Sequence, residues 1–94
     1  MNAAPPLHAT REQRLRELLI TRFSPRELDV EDESHRHAGH AGAADGRGHF
    51  RIRIVAEAFR GVAPLARHRL VYAAVEEMLK HDIHALAIEA LPPA

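Results

Sequence analysis

The sequence predicts an α+β domain in the order α-β-β-α-β, with a three-stranded mixed sheet and its helices packed on one face. Three observations predict it. Apolar residues recur at helical spacing in two stretches, Leu15, Leu18, Leu19 and Phe23, and then Val71, Ala74, Val75 and Met78. Between these lie two stretches of period two, Leu28/Val30 and Phe50/Ile52/Ile54. A third short strand pattern, Ile83 to Glu89, follows the second helix. A helix crossing between strands two and three sets the third strand beside a parallel neighbour.

Each element has its own justification. Residues 1–9, with Pro5 and Pro6, read as a disordered tail before a domain at 10–92. Thr10 suits an N-cap, and Gln13 completes a capping box. Helix 1 then runs over 11–23 and is ended by Ser24-Pro25. A half-buried strand is expected at 27–34, where Asp29, Glu31 and Glu33 face outward. A second is expected at 49–56, with His49, Arg51 and Arg53 outward. Paired antiparallel, the two strands set acids across from arginines, which accounts for the arginines without any ligand.

The connection 35–48 contains Gly39, Gly42, Gly46 and Gly48. It far exceeds the usual hairpin loop of about 2–5 residues, which points to function or disorder. Phe59-Arg60-Gly61 makes a turn, and Pro64 opens a second helix at about 65–80 that His81-Asp82 breaks. Strand three covers 83–89, and Leu91-Pro92-Pro93 ends the fold.

Composition bounds the function. A chain of 94 residues fits one domain, and with 4% aromatic residues its core must be aliphatic. Thirteen basic and thirteen acidic residues balance, which argues against a sequence-blind nucleic-acid binder. The absence of cysteine removes disulfides, thiol catalysis and self-contained thiolate metal sites. No apolar run approaches the roughly 20 residues of a membrane span, and Met1 to Thr10 lacks a signal-peptide pattern. The expected compartment is the cytoplasm, with no membrane partner. Eight histidines are the unusual number.

The histidines are the first candidates for chemistry. His35, His37 and His40 fall within six residues, and imidazole suits zinc, copper, nickel and iron. Their spacing matches no finger-type site, so on spacing alone a solvated, glycine-rich polar loop is the better account of them. On strand three, His84, Leu86 and Ile88 are expected to share one apolar face, where a histidine is more often a satisfied core or edge residue than a ligand. Arg67-His68-Arg69 reads as a solvated helix surface or an anion-facing patch. An enzyme is not expected. Ser24 and Ser34 sit in turns without a His/Asp arrangement, and no glycine-rich loop follows a strand to open a helix.

Four runs carry a resemblance: "LDVEDESHRHAGHAG", "HFRIRIVAEAFRG", "RHRLVYAAVEEML" and "IHALAIEALPP". They fall between residues 28 and 93 and are similar, in family order, to the signature blocks of the BolA family, a resemblance that extends over about residues 11–92. The most specific pieces are Phe59-Arg60-Gly61 leading into Arg67-His68-Arg69-Leu70-Val71-Tyr72, and Ile83-His84-Ala85-Leu86. The resemblance implies a fold similar to the class II KH domain. It implies a non-enzymatic adaptor in iron–sulfur trafficking or iron sensing, partnered by a monothiol glutaredoxin of the CGFS type with glutathione. A [2Fe-2S] cluster would be shared with that partner, none being held tightly alone. The implied iron ligands are His84 and a loop histidine, best matched by His37, with His35 and His40 as neighbours that could substitute. The family also implies a DNA-binding, transcription-regulating alternative, which would use Arg60, Arg67 and Arg69. The KH-type Gly-x-x-Gly loop lacks its second glycine here, at Gly61-Val62-Ala63-Pro64.

Overall fold

The first helix begins where its cap predicts. In the computed structural model, which describes residues 10–34 and 46–94, the Gln13 amide donates to the Thr10 hydroxyl and the Gln13 side chain accepts from the Thr10 amide. This capping box opens α1 (Arg11–Phe23). Ser24 ends it in the left-handed region, φ 43°, with its N–H on the Ile20 carbonyl. The strands β1 (Glu27–Asp32), β2 (Gly48–Val55) and β3 (Ile83–Leu91) form one sheet in the order β1-β2-β3. The β1–β2 pair is antiparallel, and β2–β3 is parallel across the intervening helices. A 3-10 turn (Glu57–Phe59), α2 (Pro64–Ala74) and α3 (Glu76–His81) fill the crossover.

Leu15, Leu19 and Phe23 of α1 meet Phe50, Ile52 and Ile54 of β2, with Val71, Val75, Met78 and Ile83 completing an aliphatic core. Phe59 is fully buried and tilts against Phe23, ring centroids 5.1 Å apart. The opposite face of the sheet is polar. Asp29 stands opposite Arg53 and Glu31 opposite Arg51, while the ion pairs run diagonally: Arg51 to Glu33 at 3.1 Å, and Arg53 to Glu27 at 2.7 Å. The arginines of β2 thus neutralise acids of β1, as the opposed charges predict.

Three boundaries differ from expectation. The second helix is divided at Val75, whose backbone leaves helical geometry (φ −116°, ψ 20°) while its N–H is shared between the Val71 and Tyr72 carbonyls. Val75 is fully buried, and the bend re-aims α3 so that Met78 also reaches the core. Strand β1 stops at Asp32 rather than 34, because Ser34 turns its N–H onto the Asp32 carboxylate. Strand β3 runs on to Leu91, whose carbonyl accepts from the Ala56 N–H. The predicted tail at 1–9 and the loop histidines His35, His37 and His40 lie outside the described residues.

Candidate functional site

The parallel ladder slips by one residue at its start. Gly48 pairs with Ile83, but His49 pairs with Ala85, so His84 is an extra residue in a β-bulge. The bulge overturns the expected phase of β3. Ile83, Leu86 and Ile88 all pack on the core, while His84 is exposed. His84 therefore does not share the apolar face of Leu86 and Ile88, because the inserted residue shifts the alternation by one.

Beneath the exposed ring lies a buried one. His49, only 7% exposed, stacks against His84 with centroids 5.2 Å apart and planes inclined by 48°. Beside His49 a hollow of about 270 Å³ opens between Glu33, Phe50, Arg51, Ala85, Leu86 and Ala87. The strand alternation places His49 outward with Arg51 and Arg53 and gives it no role, whereas in the fold its ring is buried. The available signal was that it precedes the buried Phe50 next to a glycine, Gly48. A Cβ at Gly48 would sit 2.6 Å from the Phe50 ring and 3.0 Å from the Ser34 hydroxyl.

The described residues on either side of 35–45 contact this pair. On the near side, the Ser34 hydroxyl accepts from the His49 N–H at 3.0 Å, and the Glu33 N–H donates to the His49 carbonyl at 2.7 Å. On the far side, Gly46 takes a left-handed backbone (φ 79°), and the Arg47 guanidinium lies 3.4 Å from His84 Nδ1. The Gly48 N–H then bonds the Asp82 carbonyl, which ties this end to the start of β3.

Asp82 is itself held. Arg14 of α1 grips its carboxylate with two hydrogen bonds, at 2.9 and 3.1 Å. These bonds hold the Asp82 carboxyl below the ordinary carboxylate range; burial opposes the effect, and the charges of Arg14 and Arg11 add to it. The base of His84 is thereby anchored to the helical layer.

The arginines singled out in the sequence are not together as a free basic face. Arg67 donates to the Val62 carbonyl at 2.7 Å and the Ala90 carbonyl at 3.1 Å. His68 Nε2 meets the Ile88 carbonyl at 3.1 Å, and the Tyr72 hydroxyl donates to the Leu86 carbonyl at 3.3 Å. These three α2 side chains cap alternate carbonyls along the free edge of β3. Arg60 pairs with Glu57 and reaches the Pro93 carbonyl. Arg69 is exposed and forms no hydrogen bond or ion pair among the described residues.

No three His, Asp or Glu side chains among the described residues converge to hold a metal. What the site offers is a single exposed imidazole with a second ring behind it. That donor set suits one bond to a borderline metal such as iron whose other ligands come from elsewhere. Among the described residues, no helix is long and apolar enough to cross a membrane.

Comparison with known proteins agrees with this architecture. A family model of BolA-like proteins matches residues 19–94. The chain is 48% identical over 90 residues to SufE-like protein 1, chloroplastic/mitochondrial, of Arabidopsis thaliana, covering 90% of this chain and 24% of that one. It is 42% identical to BolA-like protein 1 of Mus musculus, covering 98% of this chain and 62% of the relative. It thus spans only part of these curated relatives. The solved BolA domain of SufE1 from Arabidopsis thaliana superposes with a TM-score of 0.80 at 44% identity, covering 90% of this chain and 94% of that domain. BolA1 from the same plant gives 0.77 at 38% identity, covering 89% and 93%. With sheet order, helical layer and sequence all in agreement over most of its length, the chain belongs to the BolA-like family.

Proposed function

We propose that this protein is a non-enzymatic adaptor in iron–sulfur cluster trafficking or iron sensing. In this reading His84 and a histidine of the 35–45 segment, His37 ahead of His35 and His40, contribute nitrogen ligands to a [2Fe-2S] cluster. The thiolates come from a monothiol glutaredoxin and its glutathione, since this chain has no cysteine. The observation that carries the reading is the bulge. It lifts His84 out of the core phase into solvent, beside Ser34 and Arg47, the described residues from which the chain enters and leaves 35–45.

The test mixes the protein with a cluster-loaded monothiol glutaredoxin and follows visible absorption and circular dichroism. A 1:1 complex with a changed spectrum, lost in His84→Ala, supports the adaptor. An unchanged spectrum together with a salt-dependent DNA gel shift supports the regulator instead. The geometry favours the adaptor: of the three arginines a DNA reading would use, Arg60 and Arg67 are already bonded within the fold.

A further inference from the structure

We infer that Arg14 of α1 is a positioning residue for His84, acting through Asp82 to fix where the β2–β3 ladder begins. Carried back two residues from the pair Phe50 and Leu86, the regular parallel register would set Gly48 opposite His84. The Gly48 N–H would then bond the Ile83 carbonyl, because in this ladder it reaches the residue before its partner. It reaches the Asp82 carbonyl instead, at 2.9 Å. The bulge is therefore a choice between two neighbouring carbonyls, and that choice decides which side chain points outward.

Three bonds converge on Asp82. Its N–H donates to the Met78 carbonyl at 2.7 Å, where α3 ends. Its carboxylate accepts from both terminal nitrogens of Arg14, at 2.9 and 3.1 Å, and Arg11 adds an ion contact at 3.5 Å. Its carbonyl accepts from Gly48. Burial of Ile83, 1% exposed, favours the same register, because in the regular one His84 would take the inward phase in its place. The core thus selects the inward residue, while the grip of Arg14 keeps the Asp82 carbonyl beside Gly48. A two-point guanidinium–carboxylate pair suits that task, since it fixes orientation as well as distance. The inference rests on the ligand role proposed for His84.

The experiment reads the first ladder bond directly. Arg14→Met keeps the stem and removes the donors. In the free protein it should speed amide hydrogen exchange at Gly48 about two- to fivefold relative to Ile52, the worth of a part-exposed ion pair. A general loosening would speed both amides together. In titrations with cluster-loaded monothiol glutaredoxin, the same variant should bind about two- to fivefold more weakly. Asp82→Ala should reproduce both effects, and adding Arg14→Met to it should add nothing, as for two residues acting through one contact. Gly48 exchange that is unmoved, or that rises only in step with Ile52, overturns the proposal, and so do additive effects in the double variant. If His84→Ala leaves the cluster spectrum unchanged, the adaptor reading falls instead, and exchange at Gly48 still decides the role of Arg14.

Discussion

The rings of His49 and His84 touch across the bulge, one buried and the other exposed, with 5.2 Å between centroids. The buried ring forms a floor that restricts how the exposed one can turn. Function and stability should therefore separate between them. His49→Ala removes packing and should cost about 1–3 kcal/mol in urea denaturation. His84→Ala should stay within about 0.5 kcal/mol of wild type, as surface changes do, yet abolish the spectral change in the mixed complex. Equal stability losses in the two variants would show that the floor is not structural.

Arg67 and Arg69 look alike in sequence but should behave differently. Arg67→Gln strips the Val62 and Ala90 carbonyls of their donor and should lower stability by about 1–3 kcal/mol. Arg69→Gln should leave the urea midpoint where it is. If DNA binding draws on this face, Arg69→Gln alone should reduce the salt slope by about one. A stable Arg67→Gln with weakened DNA affinity would reverse the assignment.

The Asp82–Arg14 pair predicts a pH dependence. The folded carboxyl titrates below its unfolded value, chiefly through the hydrogen bonds from Arg14. Its contribution is therefore complete above the ordinary carboxylate value of about 3.9 and is lost as pH falls through the lower folded value. The Arg14 side chain is 40% exposed, so solvent screening limits the pair to about 1 kcal/mol. Asp82→Asn should show that deficit at neutral pH, and the two denaturation curves should converge in acid. A constant gap at all pH values would mean the carboxylate charge is not responsible.

Two glycines should fail for opposite reasons. Gly48→Ala drives a methyl into the Phe50 ring and the Ser34 hydroxyl, an overpacking cost of about 1–3 kcal/mol. Because Gly48 precedes His49, the His84 ring signals should move as well. Gly61→Ala meets no atom within 4 Å but keeps φ at 75°. It should cost about 1–2 kcal/mol and leave the His84 signals in place. Matched shifts at His84 in both variants would refute this separation.

Much of this architecture was legible in the residues. Thr10 with Gln13, and Ser24 before Pro25, bounded α1 because caps are local chemistry. The acids of β1 and the arginines of β2 announced their pairing because opposed charges encode register. The phase of His84 was not legible, because a bulge exists only relative to a partner strand. Nor was the break at Val75, a residue with ordinary helical surroundings whose conformation is set by what it buries. The role of Arg67 was hidden for a related reason. A charged triplet on a helix reads as solvated until the strand edge it caps is placed beside it.

The parallel pairing of β2 with β3 carries a consequence for synthesis. On a ribosome, α1, β1 and β2 emerge first and can pair at once, since their contacts are close in sequence. The other side of β2 must wait until residues 83–91 appear, and Ile52 and Ile54, met until then by α1 alone, wait with it for Val71, Val75 and Met78 to complete their cover. During that interval the nascent chain is a one-sided ribbon with an open edge, the form most exposed to wrong partners. Arrival of β3 closes the sheet and builds the bulge under His84 in the same step, so the exposed imidazole is presented only once this sheet is complete.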